Sequence, residues 1–382
     1  MSKPRGCVTR RGGSWVVIVS ETDPETGKRR RRYHSGYRTK KEAEQARTEM
    51  LGRMDRGTYV RPMSLTVGQF LTERWLPAIE STVRLSTFRR YETDCRIYLL
   101  PRIGKLPLQS LQPDTLNRLY GKLQREGGWG GRSLSARTVR HCHRTIRKAL
   151  QDALRWGYVT RNVADATNPP GDSDKPEMRV WSAAELRRFL GHVADDRLRV
   201  MWLTFASTGM RRGEVLGLRW GDVDLEAGRL AIRQTLLAIR HVLSYSEPKT
   251  KRGRRLVSLD PVTWSALRDH RKAQIEERLR AGSAWVDSGL VFTNEIGEPI
   301  HPDRVTKLFG RLASQAGLPR IRLHDLRHGW ATLAFEAGEH PKAVSEQLGH
   351  STVSLTLDTY THAIPAMQQE MAERVARLIH GQ

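Results

Sequence analysis

The first sixty residues alternate apolar and polar positions as a small sheet would. Residues 15–19 form a β-branched run that predicts a strand, residues 22–27 are rich in turn formers, and residues 28–33 return as a basic strand. Thr39-x-x-Glu42 is a capping box, which predicts the start of a helix. The pattern therefore predicts a β-hairpin with a cationic face, followed by one helix.

Residues 64–166 change to helical spacing. Thr66-x-x-Gln69 is a second capping box, and the helix that it opens is expected to end at Pro77, while Pro101 predicts another break. Residues 135–156 give the longest helical pattern of this part. Its inward positions are predicted to be Val139, Cys142, Ile146, Leu150 and Leu154. The segment is therefore predicted to form a helical bundle.

A polar, turn-rich linker at residues 168–176 predicts a domain boundary. Beyond it, Ser182-x-x-Glu185 caps a helix, and an apolar helix covers residues 200–207. Three alternating segments, residues 229–233, 236–242 and 255–259, predict one small antiparallel sheet. Residues 290–294 predict a short strand, and residues 262–280 and 301–316 predict two helices.

Helical periodicity also governs the end of the chain. A helix that begins near His324 should end at Gly338, and a short helix from Pro341 should stop at Gly349. After Pro365, an amphipathic helix is expected, and it docks either on its own domain or on a neighbouring protomer. Its apolar positions are Met367, Met371, Val375 and Leu378.

These patterns predict a multidomain chain that is mainly α with small β-sheets. Residues 1–60 would form a small domain of one β-sheet plus a helix, and residues 64–168 a helical domain. Residues 178–382 would form an α+β domain that ends in the C-terminal helix.

Charge narrows the choice of partner. The 382 residues contain 65 Lys and Arg against 41 Asp and Glu, a net charge of +24, so the protein's field favours a polyanion such as nucleic acid. No long apolar run supports a membrane segment. Cys7, Cys95 and Cys142 lack the spacing of a zinc site or disulfide framework, and the N-terminus has no apolar signal region, so a reduced, cytosolic protein is expected.

The candidate chemistry lies between residues 324 and 360. His324 and Arg327 are three apart and share one helix face, His350 follows a helix end, and Tyr360 comes ten residues later. Such groups suit phosphoryl transfer, which needs a nucleophile, cations for the phosphate oxygens and a proton donor.

Four sequence boxes resemble the signatures of the tyrosine recombinases, the family of phage and mobile-element integrases. They are Thr208-Gly-Met-Arg211-Arg-Gly-Glu214-Val-Leu216, His324-Asp-Leu-Arg327-His328, Leu348-Gly-His350-Ser351 and Thr356-Leu-Asp-Thr-Tyr360-Thr-His362. Pro248-Lys249-Thr250, followed by Arg255-Leu-Val, resembles the hairpin that carries the family's mobile lysine, with Lys251 as the alternative. One departure is Gly329, where members of the family more often carry a hydroxyl residue.

The resemblance implies a site-specific recombinase that cleaves and rejoins DNA through a 3′-phosphotyrosine and a Holliday junction. Tyr360 would attack, arginines would clamp the phosphate, and a lysine would protonate the leaving 5′-oxygen. The implied catalytic residues are Arg211, Lys249, His324, Arg327, His350 and Tyr360. The expected DNA-binding residues of the two preceding domains are Lys28, Arg29, Arg30, Arg31, Arg32, Arg137, Arg140 and Arg144.

The resemblance also implies an arm-binding role for residues 1–60 and a core-binding role for residues 64–168. The partner would be double-stranded DNA bound by a homotetramer, with no cofactor and no metal. A DNA-bending host factor and a directionality factor would assist it, on the nucleoid of a bacterial host. The competing interpretations are a non-catalytic DNA-binding protein, a type IB topoisomerase-like strand transferase and a metal-dependent nuclease.

Overall fold

The computed structural model describes residues 6–22, 29–56, 59–171, 179–239, 242–248, 253–349, 352 and 376–380. Contacts divide the chain into two compact units, Met1–Lys175 and Pro176–Gln382. The predicted fold class is confirmed, because helices predominate and every sheet is small and antiparallel.

The N-terminal sheet has one strand more than the predicted hairpin. β1 (Gly6–Arg11), β2 (Ser14–Thr22) and β3 (Arg29–Tyr37) pair antiparallel in the order β1-β2-β3. α1 (Lys40–Asp55) begins at the predicted capping box and packs on one face of the sheet. The strand β1 was missed because its sequence, GCVTRR, carries little apolar alternation.

The rest of the first unit is a helical bundle around one apolar core. Its α-helices are α2 (Val67–Gln69), α3 (Leu76–Ile79), α4 (Leu85–Thr93), α5 (Leu100–Ile103), α6 (Pro113–Glu126) and α7 (Ala136–Arg155). α7 is the predicted long helix, and its inward residues Val139, Cys142, Ile146 and Leu150 are buried.

Two prolines predicted to end helices lie inside continuous helical runs instead. π-helical segments at Phe70–Trp75 and Asp94–Leu99 lead directly into α3 and α5, in which Pro77 and Pro101 are the second residues. A proline normally clashes with the carbonyl of the preceding turn and lacks an N–H to donate. The wider π turn relieves that clash, so the prediction of a break at each proline was wrong.

The second unit combines short strands with α-helices, and residues 376–380 are helical as well. The helices are α8 (Ala183–His192), α9 (Arg199–Thr208), α10 (Arg212–Leu216), α11 (Pro261–Ala281), α12 (Pro302–Gln315), α13 (Asp325–Glu336) and α14 (Pro341–Leu348). The strands are β4 (Val223–Asp224), β5 (Arg229–Ile232), β6 (Thr235–Ile239), β7 (Val242–Ser246) and β8 (Arg255–Ser258).

The single sheet predicted for this unit is in fact two. β5 lies between β4 and β8, while β6 and β7 form a separate hairpin. Residues 290–294 make only isolated bridges, from Leu290 to Arg219 and from Thr293 to Pro299, so the strand predicted there was also wrong. That segment is apolar because Val291 and Phe292 are buried in the core.

α9 and α13 pack against each other and bring two separate parts of the sequence together. A small apolar cluster of α13 and α14, including Phe335 and Leu348, fixes the end of α14 beside them. Within the described ranges, no helix has both the length and the apolar character needed to cross a membrane.

Candidate active site

The first element of the site is the turn between α9 and α10. Gly209 ends α9 with a left-handed backbone (φ +63°), and Arg211 stands directly before α10. The backbone N–H of Arg211 donates to Glu214 at 3.0 Å, which fixes the start of α10. A Cβ at Gly209 would lie 2.8 Å from Leu348 and 3.0 Å from Trp330, so only glycine permits this approach.

Arg327 ties that turn to the end of α14. Its side chain is 3% exposed and donates to the carbonyl oxygens of Gly209 at 2.7 Å and Leu348 at 2.6 Å. The carbonyls of a helix's last turn lack intrahelical partners and carry the negative end of the helix dipole. A guanidinium supplies both the N–H donors that these carbonyls lack and a positive charge at the negative end of the helix dipole.

Arg211 reaches the same place from the other side. Its Nη1 donates to Glu214 Oε1 at 2.7 Å, and its Nη2 donates to the carbonyl of Gly349 at 3.3 Å. The structure thus brings Arg211 and Arg327 together at the last two residues before His350. The bonds from Arg327 to Gly209 and from Arg211 to Gly349 join residues that are 118 and 138 positions apart in the sequence.

His324 lies at the start of α13, with its ring edge-on to that of His328 at 5.1 Å between centroids. Crowding by protein atoms, and then the charges of His328, Arg327 and Arg211, lower the pKa of His324 to about 4. His324 is nevertheless an exposed residue, so water screens these charges and makes the lowering of the pKa smaller than full burial would. Because the pKa is lowered from 6.5, the imidazole is neutral at pH 7 and can accept a proton.

We therefore predict that His324 titrates well below an ordinary histidine. Its ring proton resonance, identified by its loss in His324→Gln, should show a midpoint below about pH 5.5. Because folding lowers this pKa from 6.5, His324 should reduce the stability of the fold as the pH falls from 6.5 towards 4. A midpoint near 6.5 would contradict the lowered pKa of His324.

Two residues of this site were not predicted as part of it. Glu214 is 2% exposed and bonds both Arg211 and Arg255, while Arg255 has a side chain 6% exposed and also bonds the carbonyl of Gln347. The sequence held a signal for Arg255, since strand alternation puts it on the same face as Val257, which is buried. An arginine on a buried face needs an acidic partner.

Several predicted residues lie outside the described ones: Lys28, Lys249, Lys251, His350 and Tyr360, with most of the C-terminal helix. Residues 376–380 of that helix are helical, and Leu378 is 85% exposed.

The arginine run of β3 is divided between two faces of the sheet. Arg32 pairs with the buried Val19 and so shares the face that carries α1, where it donates to the carbonyl of Pro62 at 3.2 Å. Arg31 pairs with Ser20 and points to the other face, where it is exposed. Arg30 is exposed, and only the backbone of Arg29 is described. The run therefore does not form the single cationic face that was predicted.

The predicted arginines of α7 lie together on one face of the helix. Arg137, Arg140 and Arg144 follow a spacing of three and four residues, with Arg137 and Arg144 exposed and Arg140 half-buried. They lie away from the buried positions of the same helix.

The acidic groups near the arginines are held by arginines rather than grouped together. Glu214 bonds Arg211 and Arg255, and Asp325 is held by Arg322 through Nη2 at 2.7 Å and Nε at 3.0 Å. In the part of the chain that the structure describes, no group of three or more His, Cys, Asp or Glu residues could hold a metal ion.

Three family profiles match consecutive parts of the chain. The Phage integrase family profile matches residues 180–367, a range that includes the positions of Lys249, His350 and Tyr360. An Arm DNA-binding domain profile matches residues 8–54, and a Phage integrase, N-terminal SAM-like domain profile matches residues 66–124.

Two proteins of similar sequence carry names that agree with these profiles. A "Tyrosine recombinase XerC-like" protein of Caldanaerobacter subterraneus subsp. tengcongensis is 28% identical over 98% of each chain. The ICEBs1 integrase of Bacillus subtilis is 27% identical over 64% of this chain and 67% of its own.

Solved structures share the fold. The Tn1549 transposon integrase, bound to a circular intermediate DNA, has a TM-score of 0.68 at 23% identity, over 82% of this chain and all of that one. A lambda integrase tetramer bound to a Holliday junction has a TM-score of 0.58 at 17% identity, over 94% of each chain. The Phage integrase family profile covers most of the second unit, and the arginine, histidine and tyrosine boxes follow the family's order. The chain therefore belongs to the phage integrase family of tyrosine recombinases.

Proposed function

We propose that this protein is the integrase of a phage or integrative element, a site-specific recombinase that cleaves and rejoins double-stranded DNA. The observation that carries the proposal is the convergence of Arg211 and Arg327 on the carbonyls at the end of α14, directly before His350 in the sequence, with His324 at the start of the helix that carries Arg327. Two planar cations beside one proton acceptor suit the equatorial oxygens of a phosphodiester.

The proposed reaction is one in-line displacement at phosphorus. The hydroxyl of Tyr360 attacks, its oxygen forms a bond to phosphorus, and the bond from phosphorus to the 5′-oxygen breaks. His324 accepts the proton of Tyr360, and Lys249 protonates the leaving 5′-oxygen. Arg211, Arg327 and His350 hold the charge that develops on the phosphate.

Rejoining follows from the same geometry. The phosphotyrosine keeps the energy of the broken bond, so a 5′-hydroxyl of another strand can displace Tyr360 without a nucleotide cofactor. We propose that four copies carry out two such exchanges through a Holliday junction, as the lambda integrase tetramer bound to one suggests. Residues 1–60 would bind arm sites, residues 64–168 would bind core sites, and residues 178–382 would carry the chemistry.

The test is to capture the covalent intermediate from a pool of nicked duplexes with randomised cores. When the nick lies a few nucleotides downstream of the cleavage point in the same strand, the short fragment that carries the 5′-hydroxyl diffuses away and the adduct cannot be resealed. In EDTA and without ATP, we expect a denaturant-stable adduct whose captured strands share one core sequence and end in a 3′-phosphotyrosine. The captured sequence then supplies the core site for every later measurement.

A strict need for magnesium would contradict the proposal and favour a nuclease. Free strands with no attached protein would contradict it as well, because a recombinase keeps the cleaved end.

A further inference from the structure

Three arginines bind three consecutive carbonyls at the end of α14. Arg255 Nε donates to Gln347 at 2.5 Å, Arg327 Nη2 to Leu348 at 2.6 Å, and Arg211 Nη2 to Gly349 at 3.3 Å. The proposed chemistry needs two of these arginines at the phosphate. Arg255, which lies on the strand β8, has no role in that chemistry, although its side chain is only 6% exposed.

Arg255 has little freedom to touch a substrate. Its Nε bonds Gln347, its Nη2 bonds Glu214 Oε2 at 3.0 Å, and its Nη1 lies 3.3 Å from Glu214 Oε1. Its side chain is only 6% exposed. The residue therefore acts on other protein groups rather than on DNA.

Glu214 is the group that both Arg211 and Arg255 share. The carboxylate is 2% exposed, whereas the Arg211 side chain is 40% exposed and is the one able to turn towards solvent. Burial alone would raise the pKa of Glu214, but Arg255, and after it Arg211, hold that pKa below its ordinary value. Of the two cations, Arg255 is the more buried and the more strongly coupled.

Binding of a DNA phosphate by Arg211 would change the charge balance at Glu214. When Arg211 turns its Nη groups from Glu214 Oε1 and the carbonyl of Gly349 towards a phosphate, its hold on Glu214 weakens. A buried carboxylate left without a counter-ion is strongly unfavourable, and it would pull Arg211 back from the phosphate. A second buried cation on Glu214 removes that conflict.

We propose that Arg255 is a positioning residue of the recombinase: it remains on Glu214 as a permanent counter-ion, so that Arg211 is free to transfer to the scissile phosphate. The inference rests on the proposed function, because it assigns Arg211 to the phosphate. It adds that charge balance at Glu214 sets how readily Arg211 takes up that position.

The test compares single-turnover adduct formation on the captured core site for four proteins: wild type, Arg255→Met, Arg255→Met with Glu214→Gln, and Arg254→Ala. Arg254 is the matched control, since it is the adjacent residue on the same strand boundary, its side chain is 57% exposed, and it pairs with the exposed Glu247 at 2.6 Å. Core-site binding and thermal unfolding are measured for each protein.

We expect Arg255→Met to lower the cleavage rate by about 10²-fold, with core-site binding nearly unchanged, since the affinity comes from phosphate contacts elsewhere. The double variant should recover at least about tenfold of that loss, because removing the charge of Glu214 removes the need for the counter-ion. Arg254→Ala should cleave as the wild type does.

Rescue separates this role from simple support of the fold. If Arg255 only held the Gln347 carbonyl, neutralising Glu214 would restore nothing, so a double variant no faster than Arg255→Met overturns the inference. A neutral pair that fails to fold overturns it too, and so does an Arg255→Met protein that cleaves normally. If the wild type itself forms no adduct, the proposed function fails instead, before the variants are compared.

Discussion

Tyr360→Phe should abolish the covalent adduct while leaving DNA binding almost unchanged. The substitution removes one oxygen atom, which is the proposed nucleophile. We expect a loss of at least about 10³-fold in cleavage of the nicked core site. Binding should persist, since a protein with a charge of +24 draws its affinity from many phosphate contacts.

Tyr245 provides the matched control for that experiment. It lies in the same unit, on β7, and its side chain is 46% exposed. Tyr245→Phe should form adduct within about twofold of the wild type, as surface substitutions usually do. An adduct that survives in Tyr360→Phe but disappears in Tyr245→Phe would move the nucleophile to β7.

Arg211→Lys should be the most damaging of the conservative changes. Lysine keeps the charge but presents a point instead of a planar fork, so it cannot bond two phosphate oxygens side by side. Loss of one such donor set typically lowers a catalytic rate by about 10²–10³-fold. The loss is measured as the rate of adduct formation on the nicked core site under single-turnover conditions, relative to the wild type.

The neighbouring arginine makes this test selective. Arg212 has nearly the same exposure, 38% against 40%, but its Nη1 donates to Thr306 at 2.6 Å and to the carbonyl of Pro302 at 3.2 Å. Arg212→Lys should therefore cleave close to normally. If Arg212→Lys were the defective variant, the clamp would belong to Arg212 and the assignment of Arg211 would be wrong.

Local signals in the sequence were sufficient for much of the fold. The capping boxes at Thr39, Thr66 and Ser182 each begin a helix, and Gly349 ends α14 as predicted. These signals work because both partners of a cap lie within four residues, so no distant contact can change them. The convergence of Arg211 with Arg327 followed from the order of the family's boxes, not from any local pattern.

Features set by distant partners were harder to predict. The hairpin of β6 and β7 leaves the sheet of β5 and β8 although all four strands show similar alternation. The sequence did not predict that Glu214 pairs with two arginines, because these partners are 3 and 41 residues away and the second lies on the strand β8. Spacing along the chain does not reveal such a bridge, since the packing of the core decides which charges are buried together.

The two π turns of the bundle have a consequence for comparing this chain with its relatives. Each π turn holds one residue more than an α turn, so a relative with an ordinary helix at Phe70–Trp75 or Asp94–Leu99 should be one residue shorter there. The correct alignment then needs a gap inside a helix, where gaps are rarely placed. A shift of one residue turns a helix by about 100°, so an ungapped alignment would match buried positions with exposed ones on the far side of each turn.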